Sequence, residues 1–470
     1  MSDEIANLGL TEVAAEIAAG NLSSLEATEA ALDRIDRYGE RLHCIAAVDT
    51  EDALAQATAA DEARGKNGVS GPLDGVPLAH KDMYYRAGRP SACGSTIRKD
   101  YVPEVSSTAL ARLDAAGALD IARLNMVEFA LGPTGHNEVV GTPRNPWNTD
   151  YITGGSSSGS GSAVAARLVY GALGSDTGGS IRLPSYFCGL VGMKATYGRI
   201  SRYGAMPLSF SHDHIGPLTR TVADCALMTR EIAGADPNDP TASKHPVPDY
   251  LARLEDGVKG LRIAVPTNYF YDMVDDQVRP HLEASIDIYR ALGAEIVEVE
   301  IPGVERAYRL ADIVSRSETS AYHSQWIRER PEDYGTQTRN RILPGFYYSA
   351  TRYIDALNLR AKLLEEFVAA AFEKADLMHA PNVPIATPTI AESDVGAGQG
   401  FLEFLRSFGH CTRPFDYLGL PALAIPFGFT GEGLPCGFQL VGRPFDEATL
   451  FRAGRAFERG TGCTDPAPAL

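Results

Sequence analysis

Apolar positions follow a helical spacing over the first part of the chain and break into short runs after it. Residues 10–65 are rich in Ala, Glu and Leu, and Ser23 with Glu26 forms a capping-box pattern that predicts a helix through about Tyr38. From Pro72 onward, short apolar runs alternate with Gly and Pro, a pattern typical of an α/β sheet. The pattern therefore predicts a helical N-terminal layer followed by an α/β core.

Further elements follow from the same periodicities. Strand patterns lie at residues 76–80, 119–124, 261–265 and 296–301, and helical patterns at 108–117 and 353–374. A stretch broken by prolines, residues 381–388, follows the second helix. Near the end, the apolar runs 422–429 and 435–442 predict a hairpin that turns through 430–433, with a last helix after it. The Pro- and Asp-rich residues 236–249 are the best candidate for a linker between two halves.

Composition narrows the class of protein. The 470 residues, 44% of them hydrophobic, can bury a large core in one oversized domain or in two to three ordinary ones. A net charge of −17 argues against nucleic acid or an anionic membrane surface as a partner. The seven cysteines include no CxxC pair, and the sequence shows neither a secretory leader nor a membrane span, so we expect a cytoplasmic location.

Two glycine-rich turns carry the candidate chemistry. They lie between Thr153 and Pro184, and their serines, Ser156 and Ser180, stand 24 residues apart. Glycine allows backbone to approach a ligand closely but costs conformational entropy, so two such turns around one apolar segment indicate an active site.

Two competing interpretations have weaker support. Residues 155–159 match the G-x-S-x-G pattern of an α/β-hydrolase elbow centred on Ser157, but the approach, NPWNTDYITGG, contains no apolar strand. His212 and His214 could place two imidazoles on one side of a strand, yet no further ligand cluster accompanies them. We therefore expect no metal and no cofactor, and we expect Asp213 to hydrogen-bond the backbone of its own loop.

A base other than histidine is available at Lys81. It ends the apolar run PLDGVPLAHK, where burial would lower its pKa and leave a neutral amine that can deprotonate a serine. An isolated lysine at a strand end is more often a surface residue whose charged end reaches solvent. The two serine turns are what favour the catalytic interpretation here.

Together these segments resemble the amidase signature family, whose hallmark is a Ser-cisSer-Lys triad. The motifs PLDGVPLAHKD, GGSSSGSGSAVAA, GSDTGGSIRLPSYFCGLVGMKATYG and LPCGFQLVGRPFDEATL follow the order of that family, and the likeness runs from about residue 7 to 460. The resemblance implies a single large α/β domain with a central mixed, twisted sheet covered by helices on both faces. Within it we expect an N-terminal helical layer at 1–65, a catalytic core at 66–235 and a substrate-covering half that completes the sheet at 236–470.

Roles for individual residues follow from the resemblance. Ser180 would be the nucleophile, Ser156 the bridging serine after a cis peptide at Gly155, and Lys81 the terminal base. The backbone N–H groups of residues 177–180, which are Thr177, Gly178, Gly179 and Ser180, would form the oxyanion hole. Asp176 and Arg182 would support that turn. Thr153 and Ser157 would support the Ser156 turn, with a solvated hydroxyl as the alternative for Ser157.

The sequence departs from the family pattern at some positions. Ser158 stands where the family usually has glycine, and His80 replaces an aliphatic residue before Lys81. Because neighbouring strand residues point to opposite faces, we expect His80 to pack in the core, away from the site.

The substrate is less well determined than the reaction. In the family's glutamine-dependent aminoacyl-tRNA amidotransferase A subunits, an arginine and an aspartate bind the amino-acid end of glutamine. Arg341 could match the arginine, but the aspartate position falls on Gly409, which favours a free-standing amidase for a small-molecule amide. Two alternatives stay open, namely the amidotransferase A subunit, or a carbamate, urea-type or ester hydrolase. The candidate pocket walls are Met83, Leu131, Tyr347, Tyr348, His410 and Phe415. Neither nucleic acid nor a membrane is an expected partner, and a homodimer is left open.

Overall fold

The computed structural model describes residues 2–394 and 401–470. Its strands are β1 (Ile45–Val48), β2 (Pro77–Lys81), β3 (Leu119–Leu124), β4 (Gly171–Asp176), β5 (Val191–Lys194), β6 (His214–Thr219), β7 (Arg262–Pro266), β8 (Glu295–Val299), β9 (Leu377–Pro381), β10 (Ala422–Phe429) and β11 (Pro435–Gly442). They form one sheet in the order β1-β3-β2-β4-β6-β5-β10-β11-β9-β7-β8. Parallel pairs, such as β2 with β4, and antiparallel pairs, such as β4 with β6, occur side by side, so the sheet is mixed.

Helices lie between most of the strands. They are α1 (Ser2–Asn7), α2 (Leu10–Ala19), α3 (Ser24–Leu42), α4 (Thr50–Asn67), α5 (Thr108–Ala115), α6 (Ser158–Ala165), α7 (Arg182–Cys188), α8 (Val222–Ile232), α9 (Arg279–Ala291), α10 (Val304–His323), α11 (Trp326–Glu329), α12 (Thr336–Ile342), α13 (Ala350–Phe372), α14 (Ile390–Ser393), α15 (Phe401–Gly409), α16 (Arg413–Leu418) and α17 (Glu447–Thr461). Short 3-10 helices lie at Thr96–Arg98, Glu128–Ala130, Pro331–Asp333 and Leu343–Tyr347.

The central strands of the sheet are buried on both faces. Neighbouring residues of one strand belong to different hydrophobic clusters, as expected when side chains alternate across a sheet. Leu423 of β10 packs in the cluster that holds Phe451 of α17, whereas Ala422 packs in the cluster that holds Phe367 of α13. The expected α/β domain with a large mixed sheet is therefore confirmed, with helices covering both of its faces.

Most elements read from the sequence are present, with ends that differ by a few residues. The capping box at Ser23 and Glu26 forms and opens α3, and Thr430 N donates to Leu434 O across the C-terminal hairpin at 2.9 Å. The N-terminal layer consists of helices α1 to α4 and one strand. β1 lies inside it, after His43 ends α3 with a left-handed φ of 49°. Pairing of β1 with β3 supplies the backbone hydrogen bonds that these four residues could not obtain alone.

The candidate linker is instead tied to the core. Asp236 is buried and accepts hydrogen bonds from the hydroxyls of Thr108 and Ser201, both at 2.5 Å. Asp239 accepts from the backbone N–H of Arg202 at 2.9 Å. Because β7 to β11 complete the sheet that β1 to β6 begin, residues 236–249 connect two parts of one packed structure.

The sheet brings the sequence motifs to one edge. β2 and β4 run parallel, so their carboxyl ends, at Lys81 and Asp176, lie at the same edge of the sheet. Ligands of open α/β sheets bind outside the carboxyl ends of parallel strands. The two serine turns also border this edge, since Ser156 precedes α6 and Ser180 lies between β4 and α7.

Candidate active site

Lys81 reaches two serine hydroxyls from the end of β2. Its Nζ donates to Ser156 Oγ at 2.6 Å and to Ser175 Oγ at 2.9 Å, and all three side chains are buried. Lys81 occupies this place because every residue of β2 is buried between β3 and β4, which leaves no path for its side chain to solvent. The lysine amine is therefore held against hydroxyl partners rather than against water.

Burial sets the protonation of Lys81. Desolvation disfavours the ammonium form and is the main cause that lowers the pKa of Lys81 to about 7, against the raising effect of the Asp176 and Asp213 charges. A lysine with this pKa is partly neutral near pH 7, and the neutral amine can accept a proton from a hydroxyl. The arrangement can therefore move a proton between Ser156 and Lys81.

The peptide before Ser156 is cis, as the resemblance implies. A Cβ on Gly155 would lie 2.6 Å from Gly132 O and 2.8 Å from Gly135 N, so only glycine fits there. Thr153 is buried beside this turn, and its hydroxyl donates to Gly154 O at 2.9 Å. Gly155 thus allows the Ser156 turn to pack directly against the backbone of the neighbouring loop.

Ser157 and Ser175 link the Ser156 turn to β4. The hydroxyl of Ser157 accepts from Ser175 N at 3.2 Å and donates to Ser175 O at 3.3 Å, which excludes the alternative of a solvated hydroxyl. Sequence reasoning missed Ser175, although it directly precedes Asp176 in the GSDTGGS motif. Its position at the end of a buried strand beside β2 was the available signal.

The Ser180 turn is organised by Asp176. The carboxylate accepts from Gly179 N at 2.6 Å and from Ile181 N at 3.1 Å, which draws the backbone around it into a tight loop. Gly179 has a φ of 127°, and a Cβ there would meet Thr412 Oγ1 at 2.7 Å. The N–H of Gly179 is therefore directed at Asp176, which leaves Thr177, Gly178 and Ser180 as the candidates for oxyanion donors.

A buried ion pair supports this loop from behind. Arg182 lies between Asp176, at 3.0 Å, and Asp416, at 2.8 Å, and all three side chains are fully buried. Burial opposes ionisation of Asp176, but the Arg182 charge outweighs it and lowers the pKa of Asp176 well below its usual range. Burial and then the Asp176 charge raise the pKa of Asp416. Asp176 therefore carries the negative charge that balances Arg182.

A cavity of about 100 Å³ opens beside Ser180. Its lining residues include Leu131, Thr177, Gly178, Leu183, Leu208, Asp312, Arg316, Arg341, Leu405, Gly409 and Arg413. Ser180 is partly exposed to it, whereas Ser156 is fully buried. Ser180 therefore has access to a ligand in the cavity, whereas Ser156 and Lys81 are shielded from solvent.

Of the expected pocket walls, Leu131 borders this cavity and the other five do not. Met83 lines a second cavity, and Tyr347 is 88% exposed at the end of a 3-10 helix. His410 is stacked on Tyr269, and Phe415 is stacked on Phe270 within the core. Tyr348 donates to Asp312 Oδ2 at 3.1 Å from outside the cavity. Two of the four aromatic candidates, His410 and Phe415, are thus core residues. The polar side chains that α10 contributes to the cavity, Asp312 and Arg316, gave no signal in the sequence.

The two departures from the family pattern are both buried. His80 is buried, and its Nδ1 lies 2.8 Å from Asp120 Oδ1, so the expectation of a core histidine is confirmed. Ser158 begins α6, and its buried Oγ has no hydrogen-bond partner among the described residues. Among the described residues, neither side chain forms a hydrogen bond with Lys81.

The His212–His214 segment has a structural explanation. Asp213 accepts from the backbone N–H groups of Leu208 and Ser209 and from Thr177 Oγ1, as expected for a loop that hydrogen-bonds its own backbone. Within residues 2–394 and 401–470, no group of three or more His, Cys, Asp or Glu is placed to hold a metal ion. The seven cysteines are free.

The helices of residues 2–394 and 401–470 vary in length and in apolar character. None of them is both long enough and apolar enough to cross a bilayer.

Comparison with known proteins identifies the family. The family model described as Amidase matches residues 26–451, nearly the whole chain. The chain belongs to the amidase signature family. It is a hydrolase of this family, acting on amide C–N bonds.

The proteins that this chain resembles include an amidotransferase subunit and an amidase. The A subunit of glutamyl-tRNA(Gln) amidotransferase from Roseiflexus sp. (strain RS-1) is 41% identical over 477 residues, which cover 97% of this chain and 96% of the relative. A structure from a vestigial complex, described as revealing the evolutionary origins of an s-triazine catabolic enzyme, superposes with a TM-score of 0.90 at 33% identity and covers 96% and 98% of the two chains. A crystal structure of an amidase superposes with a TM-score of 0.86 at 33% identity and covers 97% and 100%.

Proposed function

We propose that the chain hydrolyses the C–N bond of a small-molecule amide through an acyl-enzyme on Ser180. The single observation that carries this proposal is the buried pair of Lys81 Nζ and Ser156 Oγ, 2.6 Å apart. A pKa of about 7 for Lys81, caused by burial, supports its role as the base. Ser156 is then the proton carrier between the base and the nucleophile.

In the acylation step, Ser180 Oγ attacks the amide carbonyl carbon. Its proton passes to Ser156 Oγ while the proton of Ser156 passes to Lys81 Nζ. The relay then runs in reverse and protonates the leaving nitrogen, because an amide anion cannot leave unprotonated. The C–N bond breaks and releases ammonia or an amine. Water then attacks the Ser180 ester by the same proton route and releases the carboxylate.

Negative charge develops on the carbonyl oxygen in the transition state, and hydrogen-bond donors that are already in place stabilise it. The backbone N–H groups of Thr177, Gly178 and Ser180 are the proposed donors, and each is typically worth about 3 kcal/mol of transition-state stabilisation. Asp176 fixes their loop through Gly179 and Ile181. Thr412 Oγ1 also donates to Gly178 O at 2.7 Å, which supports the same loop.

The substrate proposal rests on Gly409. It borders the cavity, and a Cβ built on it would lie 3.5 Å from Arg413 Nε, so a carboxylate at this position would lie beside that guanidinium group. Without that carboxylate the α-ammonium of glutamine has no partner there, which supports a substrate other than glutamine. The net charge of −17 supports a small molecule rather than nucleic acid as the ligand.

The second candidate is the A subunit of a glutamine-dependent aminoacyl-tRNA amidotransferase. The observation that favours it is the 41% identity with a relative of that name over nearly the full length of both chains. The proposed chemistry at Ser180 is the same in both cases, because each releases ammonia from an amide. The candidates differ in the amide that is bound and in whether a partner is needed.

The test is a panel of amides given to the purified chain alone, with released ammonia or amine as the readout. The panel contains aliphatic and aryl amides, glutamine, a carbamate and an ester, and Ser180→Ala is the control. Turnover of amides other than glutamine that is lost in Ser180→Ala supports the main proposal. Turnover of glutamine alone favours the amidotransferase candidate, and equal turnover in Ser180→Ala rejects Ser180 as the nucleophile.

A further inference from the structure

A second cavity lies next to the catalytic lysine. It has a volume of about 200 Å³, against about 100 Å³ for the cavity beside Ser180, and its lining includes Ser175 and Met83. The hydroxyl of Ser175 accepts from Lys81 Nζ at 2.9 Å, and Met83 follows Lys81 by two positions in the chain. A molecule in the second cavity therefore lies against a residue that contacts the base.

The two cavities are separate. Within residues 2–394 and 401–470, no residue lines both of them. Asp213 lines the second cavity, and its carboxylate accepts from Thr177 Oγ1 at 2.6 Å and from Leu208 N at 2.9 Å. Thr177 and Leu208 line the cavity beside Ser180 instead. A ligand can therefore occupy the second cavity without entering the cavity of the nucleophile.

Most of the second cavity's surface is apolar. The apolar side chains that line it include Met83, Ala205, Met206, Pro207, Phe210 and Ile215. Phe210 is 48% exposed, so part of its ring is free to contact a ligand. Thioether sulfurs and aromatic rings both make favourable contacts with an aromatic ring. The lining therefore favours an aromatic ligand over an aliphatic one.

The charged groups of this lining already have partners in the protein. In the described part of the chain they are Arg202, Asp213 and Asp239. Arg202 Nε lies 3.6 Å from Asp239 Oδ2, and its guanidinium carbon lies 4.6 Å from the ring centroid of Tyr197. Asp213 is engaged by the hydroxyl and backbone donors given above. An ion that entered this cavity would lose its water without gaining a free counter-charge, so the cavity suits a neutral molecule.

The lining still offers a hydrogen-bond acceptor. Ser175 Oγ accepts from Lys81 Nζ, and a hydroxyl oxygen has two lone pairs, so it can accept from a second donor. Both ring nitrogens of His214, which also lines the cavity, are engaged by Asp176 O and Lys194 Nζ, each at 3.2 Å. A ligand with one donor group therefore has a partner at Ser175.

We propose that the second cavity is a binding site for a neutral, single-ring aromatic molecule that carries one hydrogen-bond donor. Apolar cavities of about 150 Å³ accept a benzene ring, so the volume fits a ring with one small substituent. Binding pockets for small molecules commonly combine apolar walls with a few polar groups that orient the ligand. The site lies outside the cavity of Ser180, and its existence does not depend on the proposed amide hydrolysis.

The first experiment titrates the purified wild-type chain with phenol and follows binding by ligand-observed NMR. We expect a Kd of about 1 mM or tighter, which is reasonable for a ligand of about seven heavy atoms. Benzoate and benzylammonium carry a similar ring with a charge, and neither should displace phenol at about tenfold excess. Absence of phenol binding up to about 10 mM, or displacement of phenol by either ion, overturns the inference.

Variants of the lining locate the bound phenol. Ala205→Phe fills the cavity and should weaken phenol binding about tenfold or more, and Phe210→Ala removes a ring contact and should weaken it about threefold or more. Phe346→Ala is the matched control, because Phe346 is 44% exposed and does not line this cavity, so the Kd should not change. Thermal unfolding checks that Ala205→Phe is folded. If it is not, Phe210→Ala decides, and a Kd equal to that of Phe346→Ala overturns the inference.

A variant of the other cavity completes the test. Leu131 lines the cavity beside Ser180, so Leu131→Phe narrows that cavity and should leave phenol binding unchanged. A loss in Leu131→Phe as large as that in Phe210→Ala would place phenol beside Ser180 and overturn the inference. Since phenol binding is measured without turnover, failure of every amide in the panel would reject the proposed function and leave this result standing.

Discussion

Two lysines are fully buried at strand ends of the same sheet, Lys81 at the end of β2 and Lys194 at the end of β5. Burial is the main cause that lowers the pKa of each to about 7. Their partners differ. Lys81 faces the hydroxyls of Ser156 and Ser175, whereas Lys194 Nζ lies 3.2 Å from His214 Nε2 and 3.3 Å from Ala195 O.

The difference shows that a perturbed pKa does not identify a catalytic base. Burial lowers the pKa of both lysines to about 7, but of the two only Lys81 has serine hydroxyls within hydrogen-bond distance. Lys194 lies near the buried carboxyl group of Asp416. Its nitrogen hydrogen-bonds the His214 ring and donates to Ala195 O. The chemistry of the partner, and its access to the ligand, decide the role of each amine.

The largest expected effect is the loss of the base. Lys81→Met keeps the length and the apolar part of the side chain but removes the proton acceptor, so we expect kcat to fall by about 10³-fold or more. Steady-state hydrolysis of the best substrate in the amide panel measures it. A loss smaller than tenfold would show that another group takes the proton.

Lys194→Met is the matched variant for the other lysine. We expect less than a tenfold change in kcat, together with a thermal unfolding midpoint a few degrees lower. The physical reason is that His214 and Ala195 O lose a buried partner, at a cost of about 1–3 kcal/mol. Calorimetry and steady-state kinetics of the same preparation check both parts. A kcat loss as large as that of Lys81→Met would abolish the distinction between the two lysines.

The pH dependence should assign the titration near pH 7 to one lysine. Activity requires neutral Lys81, so kcat/KM should fall as the pH drops through about 7, where Lys81 gains its proton. Since Lys194 titrates in the same range, the acid limb must persist in Lys194→Met. Its disappearance there would assign the limb to Lys194.

The smallest expected effect is a shift of that limb in Ser175→Ala. The Ser175 hydroxyl accepts from Nζ and so stabilises the ammonium form of Lys81. Removing this acceptor should lower the pKa of Lys81 and move the midpoint of the limb to lower pH by about one unit or less. Kinetic pH profiles of Ser175→Ala and the wild type measure the shift, and a midpoint that moved upward would contradict the hydrogen-bond direction.

Much of the fold could be predicted from the sequence because its signals are local. The capping box before α3, the buried run of β2 and the hairpin of β10 and β11 each follow from periodicity or turn residues within a short window. The strand β1 could not, because four residues inside a helical region become a strand only through pairing with β3.

The candidate site was likewise predictable only where its residues lie in local sequence motifs. Lys81, Ser156 and Ser180 lie in dense motifs, and these fixed the expected reaction. The wall of the cavity comes from Asp312, Arg316 and residues of α12 and α16, which are separated in sequence and come together only in the folded chain. Arginines on amphipathic helices look like ordinary surface residues, so nothing local distinguished Arg316 from the exposed Arg309 of the same helix.

Detection of the acyl-enzyme tests most directly whether Ser180 is the nucleophile. The enzyme is mixed with p-nitrophenyl acetate, quenched in acid within the first turnover and digested for mass spectrometry. We predict an acetyl group on Ser180 that is absent in Ser180→Ala and formed far more slowly in Lys81→Met than in Lys194→Met. Acetylation of Ser156 or Ser157 with Ser180 unmodified, or the same acylation rate in both lysine variants, would contradict the assigned relay.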